Sequence, residues 1–441
     1  MHLKQLFIAA AAGLLSIAPL KAASGQVDFT EFKLDNGLHV ILHRDNSTPI
    51  VTVAVMYNVG SKHEQPNRTG FAHFFEHLMF EGTKNIPRGQ YAKFVERAGG
   101  TLNANTSSDR TYYYQTLPSN QLELGLWLES ERMLHATVDS QGIATQKQVV
   151  IEEKKQSYDN RPYGTILIET MKRAYREHPY RWVTIGDPDH IRAARDEEFE
   201  AFYNSFYVPN NAVLVVAGDI NEEQARRLVE KYYGDIPANE GEIYRPSVVE
   251  PPLGGEVRDT IFDNIQVPLV LQAYRMPAMG TDDYYAIEML GTLLSGGQSS
   301  RLHKELVDEQ QLALQVGSFP LPFNEPTVNF TLAFSNMGVD PQDLENAMNA
   351  EIEKVRSSLI PDREFQKLRN QFENQVVSGN QQIAERAHNL ATFYTYFGDA
   401  ALVNRELDRY MAVTREDIQR VAQTYFVPEN RVVLYYLPKQ N

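Results

Sequence analysis

The stretch "GFAHFFEHLMFEGT", Gly70 to Thr83, places two histidines and a glutamate within five residues: His73, Glu76 and His77. Its reading decides the fold, because it is either a metal-presenting helix or a solvated amphipathic one. On a helical wheel His73, Glu76 and His77 fall at about 0°, 300° and 40°, one face roughly 100° wide. Phe71, Phe74, Phe75, Leu78 and Met79 occupy the opposite face, which predicts an aromatic side packed on a sheet and a polar trio turned away from it. The i, i+4 spacing allows two imidazoles to converge on one ion. A glutamate between them stands near that ion without having to ligate it, where it can accept a proton from water. Three specified positions do not complete a metal site, and a solvated face carrying two histidines remains open at this point.

A third ligand is sought downstream. In "QKQVVIEEKKQSYDN", Gln146 to Asn160, the wheel turns Glu153 inward between Val149 and Val150 and turns Glu152 toward water. An inward carboxylate needs a cation. A Lys or Arg would serve, and so would a metal shared with His73 and His77.

The remaining chain bounds the function. It has 441 residues, too many for one ordinary core, so two domains are expected. Hydrophobic content of 42% and charged content of 22% are those of a globular protein. The net charge of −15 argues against nucleic acid and against an anionic membrane surface as partners. Residues 1–22 read as an export signal: Lys4, then the apolar run Leu6 to Leu20, then "LKA-A" as a cleavage point. A retained N-terminal anchor is the other reading. Loss of Lys4 and Lys21 takes the charge from −15 to −17. The chain has no cysteine, which excludes disulfides and thiolate ligands and suits an oxidising compartment. A periplasmic location is expected, with secretion as the alternative.

Strand, hairpin and helix signals alternate. Asn36-Gly37 marks a hairpin, "TVAVMYNVG" a strand and "TLNANTSSDRTYYYQTLP" a pair of strands. Helices are expected over Gln121–His135 and about Gln141–Tyr158. This pattern predicts an α+β fold with largely antiparallel sheets. Pro237 to Gly255 lacks periodicity and reads as a linker between an N-terminal domain, 23–236, and a C-terminal domain, 256–441. The halves resemble each other. "FYNSFYVPNNAVLVV" and "VAQTYFVPENRVVL" both run helix, aromatic pair, Val-Pro-x-Asn turn and apolar strand, which predicts two similar domains facing each other. The second half has no counterpart of the His73 segment. His135 ends a helix and reads as a partner of its dipole, His39 and His43 lie in the first strand, and His63, His178, His190, His303 and His388 show no ligand-like spacing; Tyr112 to Tyr114 read as core, with a cleft lining as the alternative.

His-x-x-Glu-His followed, after 75 intervening residues, by Glu153 resembles the inverted-zincin metallopeptidases: pitrilysin, insulin-degrading enzyme and mitochondrial processing peptidase. "GGTLNANTSSDRTYYY", "HPYRWVTIGDPDHI" and "LLSGGQSSRLHKEL" extend the similarity over most of the chain. The resemblance implies a zinc metalloendopeptidase of peptides or small unfolded proteins, with two domains forming half of a clam-like chamber. It implies one Zn²⁺ held by His73, His77 and Glu153, with Glu76 as general base toward water. It also implies a substrate strand added beside Asn103 and Ala104. Gln146 stands where relatives often carry glutamate and is expected to support the ligands from behind. Val307 and Leu314 stand where active relatives carry an Arg and a Tyr that grip substrate and stabilise the oxyanion. Their absence predicts a heterodimer with a related chain that lacks the zinc motif and keeps that pair. A non-enzymatic scaffold or peptide-binding subunit of the same fold is the alternative.

Overall fold

A computed structural model describes residues 26–439. The export segment expected over residues 1–22 lies outside the described residues. The Asn36-Gly37 hairpin joins β1 (Thr30–Lys33) to β2 (His39–Arg44) in antiparallel register, Lys33 opposite His39. Asn36 makes the turn: its Oδ1 accepts from Leu38 N–H at 3.2 Å, and its Nδ2 donates to the Tyr233 and Ile236 carbonyls at 2.7 and 2.9 Å. Gly37 adopts φ +88°, and a Cβ there would meet Asn210 Cβ at 2.7 Å.

With β3 (Ile50–Tyr57), β4 (Thr101–Thr106), β5 (Thr111–Pro118) and β6 (Ala212–Gly218), the first sheet has the order β1-β2-β6-β3-β5-β4. A second sheet is built from β7 (Val257–Asp263), β8 (Leu269–Met276), β9 (Ala313–Pro320), β10 (Thr327–Ser335) and β11 (Arg431–Pro438), in the order β7-β11-β8-β10-β9. Once β1 is set aside, the two orders correspond strand for strand. Each sheet has a single parallel pair, β2 with β6 and β7 with β11, and is otherwise antiparallel. The Val-Pro-x-Asn turns do the same work in both halves. Asn211 Nδ2 donates to the Phe206 carbonyl at 2.8 Å and Asn430 Nδ2 to the Tyr425 carbonyl at 2.9 Å. The same amides reach the carbonyls of Asn58 and Arg275, each one residue beyond a matched strand pair. The fold is thus mixed α+β with two similar sheets.

The elements that matter here are α1 (Phe71–Leu78), α2 (Ser140–Lys154), α3 (Ile166–Ala174), α4 (Asp196–Phe206) and α5 (Ile383–Phe397). Strand residues alternate between two cores, as the period of two requires. Val51, Val53 and Val55 of β3 join the core under the first half's helices, whereas Ala54 and Met56 face Ile383, Ala387 and Leu390 of α5. Reciprocally, α3 packs on β8 and β11, and Met171 and Ala174 share a core with Leu271 and Leu434. Each half therefore lends a helix to the other half's sheet.

Residues 237–255 form no helix or strand. The segment is nonetheless pinned: Glu250 accepts from the backbone N–H groups of Arg176, Glu177 and His178 at 2.7–2.9 Å and pairs with Arg275 at 2.8 Å. A buried polar network also crosses between the halves beneath the β4–β5 turn. Lys62 Nζ lies 2.9 Å from Asp109 and 2.8 Å from Glu325, and His178 Nε2 lies 2.8 Å from Glu325. Tyr180 O–H donates to Asp109 at 2.6 Å. Burial works to discharge Lys62, yet the two carboxylates raise its pKa above the ordinary lysine value.

Candidate metal centre

Local chain geometry sets the orientation of α1. Gly70 precedes it in the left-handed region, φ +95°, with the Ile185 carbonyl 3.0 Å from where a Cβ would sit. The buried Glu64 carboxylate accepts from the Gly70 and Ala72 N–H groups, both at 2.8 Å, so a side chain from outside the helix satisfies its first orphan donors. Burial raises the Glu64 pKa to about 8, against the lowering effect of those hydrogen bonds. The aromatic face expected to rest on the sheet meets α4 instead. Phe71 stacks on Phe199 at 4.6 Å between centroids, Phe74 packs on Phe199 at 4.4 Å, and Phe75 stacks on Phe202 at 5.4 Å. The sheet contributes Tyr113 of β5, whose hydroxyl donates to the Phe75 carbonyl at 3.1 Å. Three aromatic rings on one helix are met by Phe199 and Phe202, spaced i, i+3 on one face of the other.

The opposite face of α1 meets α2. His73, His77 and Glu153 each offer a ligand atom, and these atoms lie within 4.8 Å of one another. The His73 and His77 Nε2 atoms are 3.3 Å apart. Glu153 carboxylate oxygens lie 3.2 Å from His77 Nε2 and 3.7 Å from His73 Nε2. A tetrahedral zinc with bonds of about 2.0–2.1 Å separates its ligand atoms by roughly 3.3 Å, so the donor set fits that ion. The protonation states fit as well. Burial, reinforced by His77, lowers His73 to about 4. The hydrogen bond with His77 and the nearby imidazoles hold Glu153 below the usual carboxylate range. Neutral imidazole and ionised carboxylate are the forms a divalent cation requires. Glu153 is intermediate in exposure and Glu152 exposed, as expected, but Val149 is 42% exposed, so Glu153 does not lie between two buried valines. It faces α1 because α2 packs across it.

Glu76 stands on the same face of α1, and Thr106 Oγ1, at the end of β4, donates to its Oε2 at 2.6 Å. Burial raises the Glu76 pKa and the Thr106 hydrogen bond opposes that rise. Asn103 and Ala104 lie on β4, which pairs with β5 on one side and forms the edge of the sheet, next to α1. Gln146 is buried on α2, but its Nε2 donates to Glu81 Oε1 at 2.6 Å rather than to a ligand. Val307 is partly buried against a separate core of the second half that includes Leu290, Leu344 and Met348, and Leu314 is 53% exposed on β9. Among the other histidines, His178 joins Glu325 in the network between the halves. His63 is buried with its Nδ1 accepting from Gly60 N–H at 3.0 Å. Tyr112 and Tyr113 are core, as read. Thr106, Glu64 and the Lys62–Asp109–Glu325 network escaped the sequence reading. Thr106 had a signal, as the last residue of "TLNANT"; Glu64, Asp109 and Glu325 had none, since they lie in bends outside the helices and strands whose periodicity reports burial.

The two-sheet α+β fold and a His, His, Glu donor set on adjacent helices define a class, the inverted-zincin arrangement. Residues 39–187 match the family model described as "Insulinase (Peptidase family M16)", and residues 195–372 match "Peptidase M16 inactive domain". The chain belongs to the M16 peptidase family. It is 29% identical over 408 residues to the zinc protease PqqE of Helicobacter pylori, covering 92% of each chain. It is 23% identical over 402 residues to an uncharacterized zinc protease of Rickettsia bellii, covering 90% of this chain and 95% of that one. A solved protease from Helicobacter pylori superposes with a TM-score of 0.90 at 29% identity, covering 93% of this chain and all of the other. The first half of the periplasmic protease PqqL from Escherichia coli shares the fold, with a TM-score of 0.76 at 20% identity, over 93% of this chain and 92% of that one.

Proposed function

We propose that this chain is the zinc-bearing subunit of a metalloendopeptidase acting on peptides or small unfolded proteins. The observation that carries the reading is the convergence of His73, His77 and Glu153 within 4.8 Å, with Glu76 beside them. Zinc bound there supplies Lewis acidity toward a scissile carbonyl and toward water. The chain's own groups do the rest. Glu76 takes a proton at a carboxylate oxygen and returns it to the leaving amine, while Thr106 holds the other oxygen in place. Gln146, through Glu81, braces α2 behind its ligand. The free edge of β4 at Asn103 and Ala104 receives an extended peptide through backbone hydrogen bonds, which gives affinity with little sequence selectivity.

The second half of the reading concerns a partner. Val307 and Leu314 offer neither a cation nor a hydroxyl, so the oxyanion needs donors from elsewhere. A related chain lacking the zinc motif and carrying an Arg/Tyr pair would complete the chamber. An exported, periplasmic setting accords with the N-terminal segment and the absence of cysteine; no described helix is long and apolar enough to cross a membrane.

The test is hydrolysis of an unstructured peptide by the zinc-loaded chain, alone and with the protein that copurifies with it. Glu76→Gln should retain one zinc per chain, measured by elemental analysis, and lower kcat by about 10²–10⁴-fold. Full activity of the chain alone would remove the partner. Zinc binding with no turnover under either condition would leave a peptide-binding or scaffold subunit.

A further inference from the structure

A cavity of about 500 Å³ is lined by Lys154 at the end of α2 and by Thr69, which precedes Gly70 at the start of α1. Lys154 follows Glu153 on α2. Gly186 also lines the cavity, and it packs so closely on Gly70 that a Cβ on it would lie 2.3 Å from Gly70 N.

The charge of this cavity opposes that of the molecule. The chain carries a net −15, yet the cavity presents Lys154, Lys172 and Arg181. Lys154 is engaged with Asp159 at 2.6 Å. Lys172 and Arg181 are exposed and have no carboxylate partner among the described residues; Arg181 donates only to the Arg176 carbonyl. Asp187 is the one acid on the wall, and its carboxylate is occupied in capping the following helix, accepting from Asp189 N–H at 2.8 Å. The rest is largely apolar, with Ile168, Trp182 and Val183. Two unpaired cations beside an apolar wall suit an anion attached to a hydrophobic body.

We propose that this cavity takes the C-terminal residue of a peptide, with its α-carboxylate paired to Lys172 and Arg181 and its side chain against Trp182 and Ile168. The ligand class rests on the peptidase reading above; the charge and shape of the cavity do not.

The test is direct binding. Fluorescein-labelled unstructured peptides ending in leucine, one as free acid and one as amide, are titrated by anisotropy into the zinc-loaded Glu76→Gln chain. The free acid should bind about tenfold more tightly than the amide. Lys172→Gln/Arg181→Gln should weaken the free acid by that factor and leave the amide unchanged. Both substitutions are at exposed positions, and an unchanged amide affinity shows that the fold is retained. Equal affinity for acid and amide overturns the carboxylate site, as does a double variant that weakens both alike. A third peptide, amidated but with an internal glutamate, should bind like the amide; if it binds like the free acid, the C-terminal assignment fails. Binding of none of the peptides would count against the peptidase reading itself, a result distinct from binding all of them alike.

Discussion

Thr106 and Glu76 show how much rests on one hydrogen bond at the residue scale. In the general-base role proposed for Glu76 the reacting oxygen must be aimed, and the 2.6 Å contact from Thr106 Oγ1 holds the other oxygen. Thr106→Val removes the donor while keeping the β-branched shape. Hydrogen bonds to charged groups contribute about 1.5–3 kcal/mol. We expect kcat to fall at least about tenfold, with KM and zinc content unchanged and with recovery in Thr106→Ser. Steady-state kinetics of the three proteins checks this. At the same scale, removing a ligand should act on the metal first: Glu153→Ala leaves two imidazoles, and zinc retained after dialysis should fall well below one per chain.

At the scale of elements, the proposed metal centre is a contact between two helices whose relative placement is set from behind. The start of α1 is held by Glu64, by the left-handed Gly70 and by the Gly186 loop. Gly186 has φ +65°, and a Cβ there would meet the backbone of Gly70 at 2.3 Å, so neither conformation nor space admits a side chain. Gly186→Ala should displace the loop from α1, lower stability by about 2 kcal/mol or more and weaken zinc binding without touching a ligand. Denaturant unfolding and a zinc titration measure the two effects. β4 is the other element with a defined task. As an edge strand beside α1 it offers unpaired backbone groups, and N-methylation of alternate substrate amides should raise KM by disrupting one register and not the other.

For the whole molecule, exchange of α3 and α5 makes the two halves one folding unit. A fragment ending at residue 236 would expose Ile41, Ala54, Met56, Val213 and Val215, which α5 now covers, and should not fold to a stable monomer. Glu325 links the halves and adds a pH signature. Burial works to raise its pKa, but hydrogen bonds from His178 and Lys62 hold it at about 2 against an ordinary 4.5. A depressed carboxylate stabilises the fold fully above about pH 4.5, and that contribution disappears as the pH falls toward 2. Glu325→Gln should therefore cost about 2–3 kcal/mol at pH 7, with the difference from the parent narrowing between pH 4.5 and 2. Urea unfolding across that range decides the matter.

By itself the sequence determined the α+β character, the duplicated helix–turn–strand unit and the spacing of His73, Glu76, His77 and Glu153, because each is written in local periodicity or in turn chemistry. Tertiary structure alone decided that Glu153 comes to face the two imidazoles, that the aromatic side of α1 rests on α4, that Thr106 reaches Glu76, and that each half covers the other's sheet. The physical reason is range. Periodicity and capping act over a few residues and leave a mark in the order of the chain. A carboxylate aimed across a helix pair, or a helix lent to a distant sheet, is chosen by the burial of surfaces tens to hundreds of residues apart, beyond the reach of any local pattern.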